Sequence, residues 1–430
     1  MNARLAIVTT ENLPVFPVPC GGGGVRIWGL AESLRREGVE CVFFLPEARR
    51  AEAAKKGEEI RFFRPEWLHE ALNQSGCEAA LFEQWQPMTF LKQEPEMPVM
   101  VDLPGPLILE YYWRDPVHFY QHIVDKVNCL SRADAFLCAL ERQRGYYVSW
   151  LTWAGVPPEE ERLAVVPFVL HPMPRANHGQ AEDEPVVFWG GLFWAWQERE
   201  KAFRTILDTL ARVRRGQFVV VGANENDAPM AGSGEKDHPH CSWLGQLPFT
   251  EYLIELKRAA VSVDLCRPTA ERRLASDLRT GTALWAGVPS LVTPASPWAE
   301  VIRQHNAGWV VDYDDEKGIA ALIQEIALER IDIRGKRRGA REVSEEISQS
   351  THVQPIVEWL KHPVKRERRK PFFEARSEDR EQKLNAMREE IYTLRHEIDR
   401  VQHDLDGIRA HPLFRLYKRM TAPFRPEFGG

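Results

Sequence analysis

The sequence predicts an α/β protein: two doubly wound, Rossmann-like domains facing a shared cleft, followed by a C-terminal α-helical coiled coil. Three observations carry this. Short apolar runs alternate with amphipathic stretches in both halves, the grammar of parallel strands joined by helical crossovers. Between the halves, 167–185 holds four prolines and no periodicity, as a linker does. From Leu384 a strict heptad replaces both patterns.

The strands of the first half are expected at Leu5–Thr10, Glu40–Leu45, Ala79–Glu83, Pro98–Leu103, Ala133–Ala139 and Leu163–Val166, with helices at Val25–Arg36 and Leu140–Trp153. The second half repeats the scheme with strands at Val186–Trp189, Phe218–Val221, Val261–Leu265, Ser290–Val292 and Trp309–Val311. Its helices are expected at Glu200–Val213, Thr250–Arg258, Ser276–Ala286 and Gly318–Glu329. The domains then span 1–170 and 171–345, with a returning helix and basic linker at 346–375, a coiled coil at 376–410 and a basic amphipathic tail at 411–430. Within the linker, Lys361–Lys370 reads as a solvated basic run. In the coiled coil Leu384, Ile391, Ile398 and Leu405 take positions a, and Met387, Leu394, Val401 and Ile408 positions d. Glu390 and Arg395 are opposite-sign partners across a parallel pair. A homodimer through 384–408 is expected, with the tail 411–430 either a peripheral anchor on anionic membrane or a solvated end.

A formal net charge of −6 excludes a nucleic-acid binder, which needs a basic surface. The seven cysteines show no C-x-x-C spacing and read as free thiols of a reducing compartment. The apolar run Leu5–Thr9 is a strand length rather than a signal, and no segment reaches the ~20 apolar residues of a membrane span. A cytoplasmic location is expected, peripheral to the inner membrane face if the tail is an anchor.

Two places look built for chemistry. Gly21, Gly22, Gly23 and Gly24 lie between the first strand and the following helix. Backbone without Cβ atoms admits close approach of a phosphate or sugar there, or else simply turns the chain. Arg26 breaks a dinucleotide fingerprint at the third glycine. In Ala270–Arg279, Ser276 is read as the N-cap of a helix whose free amides face the cleft, beside Arg273 and Arg279, with Glu271 offering acceptors to hydroxyls. Asp312–Asp315 contains D-x-D but reads as an acidic turn, and His238, His240 and Cys241 lack a spaced fourth ligand for zinc. No metal site is expected.

Five stretches in one order resemble glycosyltransferases of the GT-B fold, especially family 4 and bacterial O-antigen or capsule transferases. They are Val99–Pro106 with Glu110; Arg132–Cys138 with Glu141–Arg144; Val166–Phe168; Phe188–Trp196; and Glu271, Arg273, Arg279 with Leu284–Pro289. The likeness runs over roughly 4–345 and departs where Arg279 replaces the second of two glutamates and Asp277 replaces an arginine.

The resemblance implies a metal-independent transferase moving sugar from a nucleotide-diphosphate donor to a glycan or lipid-linked acceptor, with retention. It needs no cofactor beyond the donor substrate. Asp102 and Glu271 become the catalytic candidates. Gly21–Gly24, Gly190, Gly191, Arg273, Ser276 and Arg279 fall to the donor, Trp113 and Arg26 to the acceptor. A nucleotide-sugar 2-epimerase and a non-catalytic assembly protein on the same fold stay open as alternatives.

Overall fold

The computed structural model describes residues 3–52, 59–157, 162–171, 184–222 and 238–368. In the C-terminal segment it describes 387, 390, 391, 393–395, 397, 398, 400–402 and 405. The chain divides into a unit at Met1–Pro371 and a second at Phe372–Gly430.

The first unit holds two parallel sheets. One has seven strands: β1 (Arg4–Val8), β2 (Glu40–Pro46), β3 (Ile60–Phe63), β4 (Ala79–Glu83), β5 (Val99–Leu103), β6 (Ala135–Cys138) and β7 (Leu163–Val165), in the order β3-β2-β1-β4-β5-β6-β7. The other has six: β8 (Val186–Gly190), β9 (Gln217–Val221), β10 (Cys241–Trp243), β11 (Val261–Asp264), β12 (Ser290–Val292) and β13 (Gly308–Val310), in the order β10-β9-β8-β11-β12-β13. Their central strands are buried on both faces, which is why they read as continuous apolar runs. The strands missed in the sequence, β3 and β10, are the outermost of each sheet; Ile60–Phe63 and Cys241–Trp243 are largely half-buried and carry no clean period.

In each sheet the strand order reverses once, between β1 and β4 and between β8 and β11. Ligands of doubly wound sheets bind outside the carboxyl ends of the strands at such switch points. Here those ends lead to Glu11, Gly21–Gly23 and Glu83 in one half, and to Gly190–Gly191 and Asp264 in the other.

The returning segment crosses back as expected, but its basic run is no solvated linker. The helix Gln354–Lys361 ends in a strap, 363–368, sewn to the N-terminal half. Arg366 is 5 % exposed; its amide donates to Asp134 Oδ1 at 2.8 Å and its guanidinium to the carbonyls of Ala133 (2.7 Å) and Ser131. Arg368 pairs with Asp134 at 2.8 Å and Glu94 at 3.0 Å. Asp134 also accepts the Val99 amide (2.7 Å), so the strap closes the N-terminal ends of β5 and β6. A charge count does not distinguish such guanidinium-to-carbonyl stitching from solvation.

The described residues between Met387 and Leu405 are helical. Part of the coiled-coil expectation and all of the tail 411–430 lie outside the described residues. No helix among the described residues is long and apolar enough to cross a membrane.

Arg366→Ala should lower the unfolding free energy of the full chain by about 3 kcal/mol, because the carbonyls of Ala133 and Ser131 lose their guanidinium donor. Denaturant titration reads this directly; an unchanged midpoint would remove the strap from the folded unit.

Candidate functional site

A cleft of about 830 Å³ lies between the two halves at both switch points. Its N-terminal wall carries Glu11, Gly21–Gly23, Glu52, Glu83, Glu110 and Arg114; its C-terminal wall carries Gly190, Gly191, Trp194, Trp196 and the 271–279 turn.

The C-terminal wall is organised around Asp264, the last residue of β11 and 1 % exposed. Arg272 and Arg279 both pair with it, Arg279 Nη1 lying 2.7 Å from Oδ1. Arg272 also pairs with Asp277 at 2.9 Å. The Arg279 guanidinium lies 4.2 Å over the Trp189 ring. Gly191 runs at φ 117° against it, and a Cβ there would sit 2.9 Å from two guanidinium nitrogens, so only glycine lets the loop lie on Arg279.

Two expectations shift by one residue. The segment folds as a short helix, Ala270–Leu274, capped by Thr269 Oγ1 accepting from the Arg272 amide at 3.1 Å, then a break, then the helix Leu278–Trp285. Successive helical residues point about 100° apart; Arg272 turns into the cleft and Arg273 out to solvent. The cap of the second helix is Asp277, not Ser276: at φ 47° its carboxylate accepts from the Thr280 amide (3.3 Å) and from Ser296 Oγ (2.7 Å). Burial pushes the Asp277 carboxyl up, but Arg272 and those hydrogen bonds hold it below its ordinary value. Ser276 still lines the cleft.

Glu271 is where its sequence context put it, 8 % exposed in the cleft, with Oε2 lacking a hydrogen-bond partner among the described residues. Burial, then the Glu110 charge, push its carboxyl up to about 8. Glu110 is itself pushed up to about 7 by burial, against the pull of Arg114. Arg114 lies 4.4 Å over the Trp194 ring, and Gln143 Nε2 donates to Pro104 O (2.8 Å) and to Leu274 O (2.6 Å), so side chains of the first half hold the second across the cleft.

Other expected site residues fall elsewhere. Asp102 and Arg26 do not reach the cleft: both side chains are 0 % exposed and form a two-pronged ion pair at 2.7 and 2.8 Å. Arg26 further donates to Val166 O at 2.9 Å, tying the helix Gly22–Arg36 to the start of the crossing between the halves. Their roles are corrected to positioning. The helix begins at Gly22 rather than Val25, with Gly21 as a cap lacking any side-chain bond. Gly24 is buried, and a methyl there would strike the Asn12 carbonyl; it serves packing, not a ligand. Trp113 is 50 % exposed on the helix Leu107–Arg114 and does not line the cleft. Asp315 caps the helix Glu316–Ala327 through the Gly318 amide (2.8 Å), and His240 Nδ1 lies 2.8 Å from Gly216 O. Among the described residues no group of three or more metal-ligating side chains comes together.

Sequence reasoning missed Glu11, Glu83, Asp264 and Arg272. Glu83 and Asp264 end strands beside the switch points, a signal that pairing order alone could have given; Arg272 needed the helix phase.

Two parallel, doubly wound halves sharing a cleft at both switch points define the GT-B class of fold. Within it, residues 184–328 match the family described as glycosyl transferases group 1. No curated protein sequence matches. Solved structures repeat the fold at low identity. Sucrose-phosphate synthase from Thermosynechococcus elongatus aligns over 84 % of this chain and 98 % of its own, at 15 % identity and TM-score 0.59. WaaG, a glycosyltransferase involved in lipopolysaccharide biosynthesis, aligns over 83 % and 100 %, at 9 % and 0.58. Anabaena HepE in complex with UDP-glucose aligns over 83 % and 99 %, at 13 % and 0.57.

Two outcomes follow. Asp102→Asn should cost about 3–5 kcal/mol by stranding a buried guanidinium, seen as a lowered Tm before any assay of function. For the raised carboxyls the folded form holds protons that the unfolded chain releases from about pH 4.5. Their contribution is therefore full below that pH and is lost as pH rises through about 7 for Glu110 and about 8 for Glu271. Tm of the empty protein should fall between pH 5.5 and 8.5, and Glu271→Gln should flatten the upper part. A Tm that rises over that range would contradict the assignment.

Proposed function

We propose that this chain transfers a sugar from a nucleotide-diphosphate donor to a hydroxyl of a glycan or lipid-linked acceptor in surface-polysaccharide synthesis. One observation carries the reading: Glu271, Arg272, Arg279 and the Gly190–Gly191 turn converge on one wall of the cleft, in the half whose residues 184–328 match the glycosyl transferases group 1 family.

In the reaction the bond from the anomeric carbon to the terminal phosphate oxygen breaks and the nucleoside diphosphate leaves with that electron pair. The acceptor oxygen bonds to the anomeric carbon and its proton passes to an oxygen of the leaving diphosphate. Charge develops on the departing diphosphate, so cations fixed there act more strongly in the transition state than before it. Arg272 and Arg279 are the cations in place. Their charges are held by Asp264 and Asp277, which keeps both guanidiniums oriented until phosphate oxygens share them. Glu271, with a buried oxygen to fill, takes donor hydroxyls. Retention of configuration is the course that the family resemblance implies. HepE was solved with UDP-glucose, which makes UDP-sugars the first donors to try.

Thermal scanning against UDP-, GDP- and dTDP-sugars, followed by release of free nucleoside diphosphate, tests the reading. Stabilisation with release supports transfer, and turnover without release would point to an epimerase. No response to any nucleotide would leave a non-catalytic protein. Turnover should persist in EDTA. Arg272→Ala should weaken the stabilising nucleotide at least tenfold, whereas Arg273→Ala leaves both its affinity and the Tm of the free protein unchanged. Equal losses in both variants would remove Arg272 from the site.

A further inference from the structure

The wall opposite the arginines has the wrong charge for a phosphate. Glu11, Glu52, Glu83 and Glu110 line it, and its two arginines are each bonded to one of them: Arg49 to Glu52 at 3.2 Å and Arg114 to Glu110 at 3.3 Å. Glu11 and Glu83 have no ion-pair partner among the described residues.

Glu83 ends β4, is 6 % exposed, and receives one long hydrogen bond, 3.5 Å, from Thr9 Oγ1. Both carboxylates lie over the start of the helix Gly22–Arg36. Glu83 Oε1 is 2.5 Å from where a Gly23 Cβ would stand, and Glu11 packs on Gly21 and Gly23. The glycines therefore make room for the protein's own carboxylates. A phosphate at this helix terminus would meet two acids, so the usual preference of a helix start for anions is reversed here. Across the same cleft, Glu271 Oε2 is buried without a hydrogen-bond partner among the described residues, a further carboxyl oxygen lining the space that a ligand would fill. Burial, then mutual repulsion, push the Glu83 carboxyl well up, so a ligand cation would also recover the cost of ionising it.

We propose that the Glu11–Glu83 wall receives a positively charged amine, and that the acceptor is a sugar carrying a free ammonium group beside its hydroxyls. Calling this ligand the acceptor rests on the glycosyl-transfer reading; the charge preference itself does not. The full-length protein is titrated at pH 7 with glucosamine, glucose and N-acetylglucosamine, following the fluorescence of the cleft tryptophans Trp194 and Trp196. Glucosamine should bind at least tenfold more tightly than the two uncharged sugars. Glu83→Gln, or Glu11→Gln alone if the former fails to fold, should erase the difference. Equal affinities, or binding of none of the three by the wild-type protein, overturn the proposal. Stabilisation by nucleotides in the separate scan would leave the transfer reading standing in that event.

A different surface carries a second inference. In the C-terminal unit Met387, Ile391, Leu394, Ile398, Val401 and Leu405 recur at alternating spacings of four and three on helical backbone, each 44–59 % exposed. Arg368 fixes the preceding chain on the N-terminal half, so these heptads are tethered to it through 369–383. We infer that the stripe pairs in parallel and in register with a second copy of this chain, since Glu390 at g meets Arg395 at e′ only in that arrangement. Light scattering should give twice the 49.5 kDa chain mass, reduced to one chain by Leu394→Asp with Ile398→Asp. Leu394→Cys should form an interchain disulfide that the wild-type protein does not. A monomeric or trimeric wild-type protein, or a Leu394→Cys dimer that fails to cross-link, overturns it.

Discussion

Asp264 carries the C-terminal wall of the cleft. It closes β11 at the switch point, nearly without solvent contact, and burying a carboxylate there costs free energy unless it is paired. Two guanidiniums make it tolerable: Arg272 from the short helix before the break and Arg279 from the helix after it. The wall follows from that triangle. Arg279 stays flat on Trp189, Gly191 passes beneath it at a backbone angle only glycine adopts easily, and Arg272 is drawn in while Arg273 is left outside. Asp277 completes the arrangement, capping one helix and neutralising an arginine of the other. Charges that fix one another in a buried place make a rigid wall, which is what a cradle for a charged leaving group requires.

The two walls differ in sign. On the arginine side, the cations are oriented by acids they can partly release. Opposite, Glu11 and Glu83 form no ion pair among the described residues, and burial pushes both carboxyls up. On the reading proposed above, an anion belongs on one wall and a neutral or positive group on the other. The helix at Gly22 shows that a glycine-rich start is not by itself a phosphate site, because the space without Cβ atoms is taken by carboxylates.

Much of this was legible in the sequence, and the exceptions share a cause. The eleven expected strands were found because buried parallel strands are continuous apolar runs. Glu271 and Arg279 were placed in the cleft from local context, Gly190 and Gly191 from the family resemblance. What failed depended on phase or on partners distant in the chain. Arg272 and Arg273 differ only by a helical step fixed by the Thr269 cap, and Asp277 took the cap through a left-handed backbone that propensity does not foretell. Asp102 lies next to the end of a strand, as an active-site acid would, but Arg26, 76 positions away, claims it. Arg366 looked like a solvated cation until the carbonyls of 131–133 were seen to surround it.

The central claim is that the Asp264-centred arginine pair cradles a nucleoside diphosphate. Hydrogen–deuterium exchange of the full chain, with and without the nucleotide sugar that stabilises it most, tests this most directly. Slowed exchange concentrated in 190–192 and 270–280, and abolished by Arg272→Ala, is the predicted result. Slowed exchange elsewhere with 270–280 unchanged, or the same pattern in the variant, would contradict it.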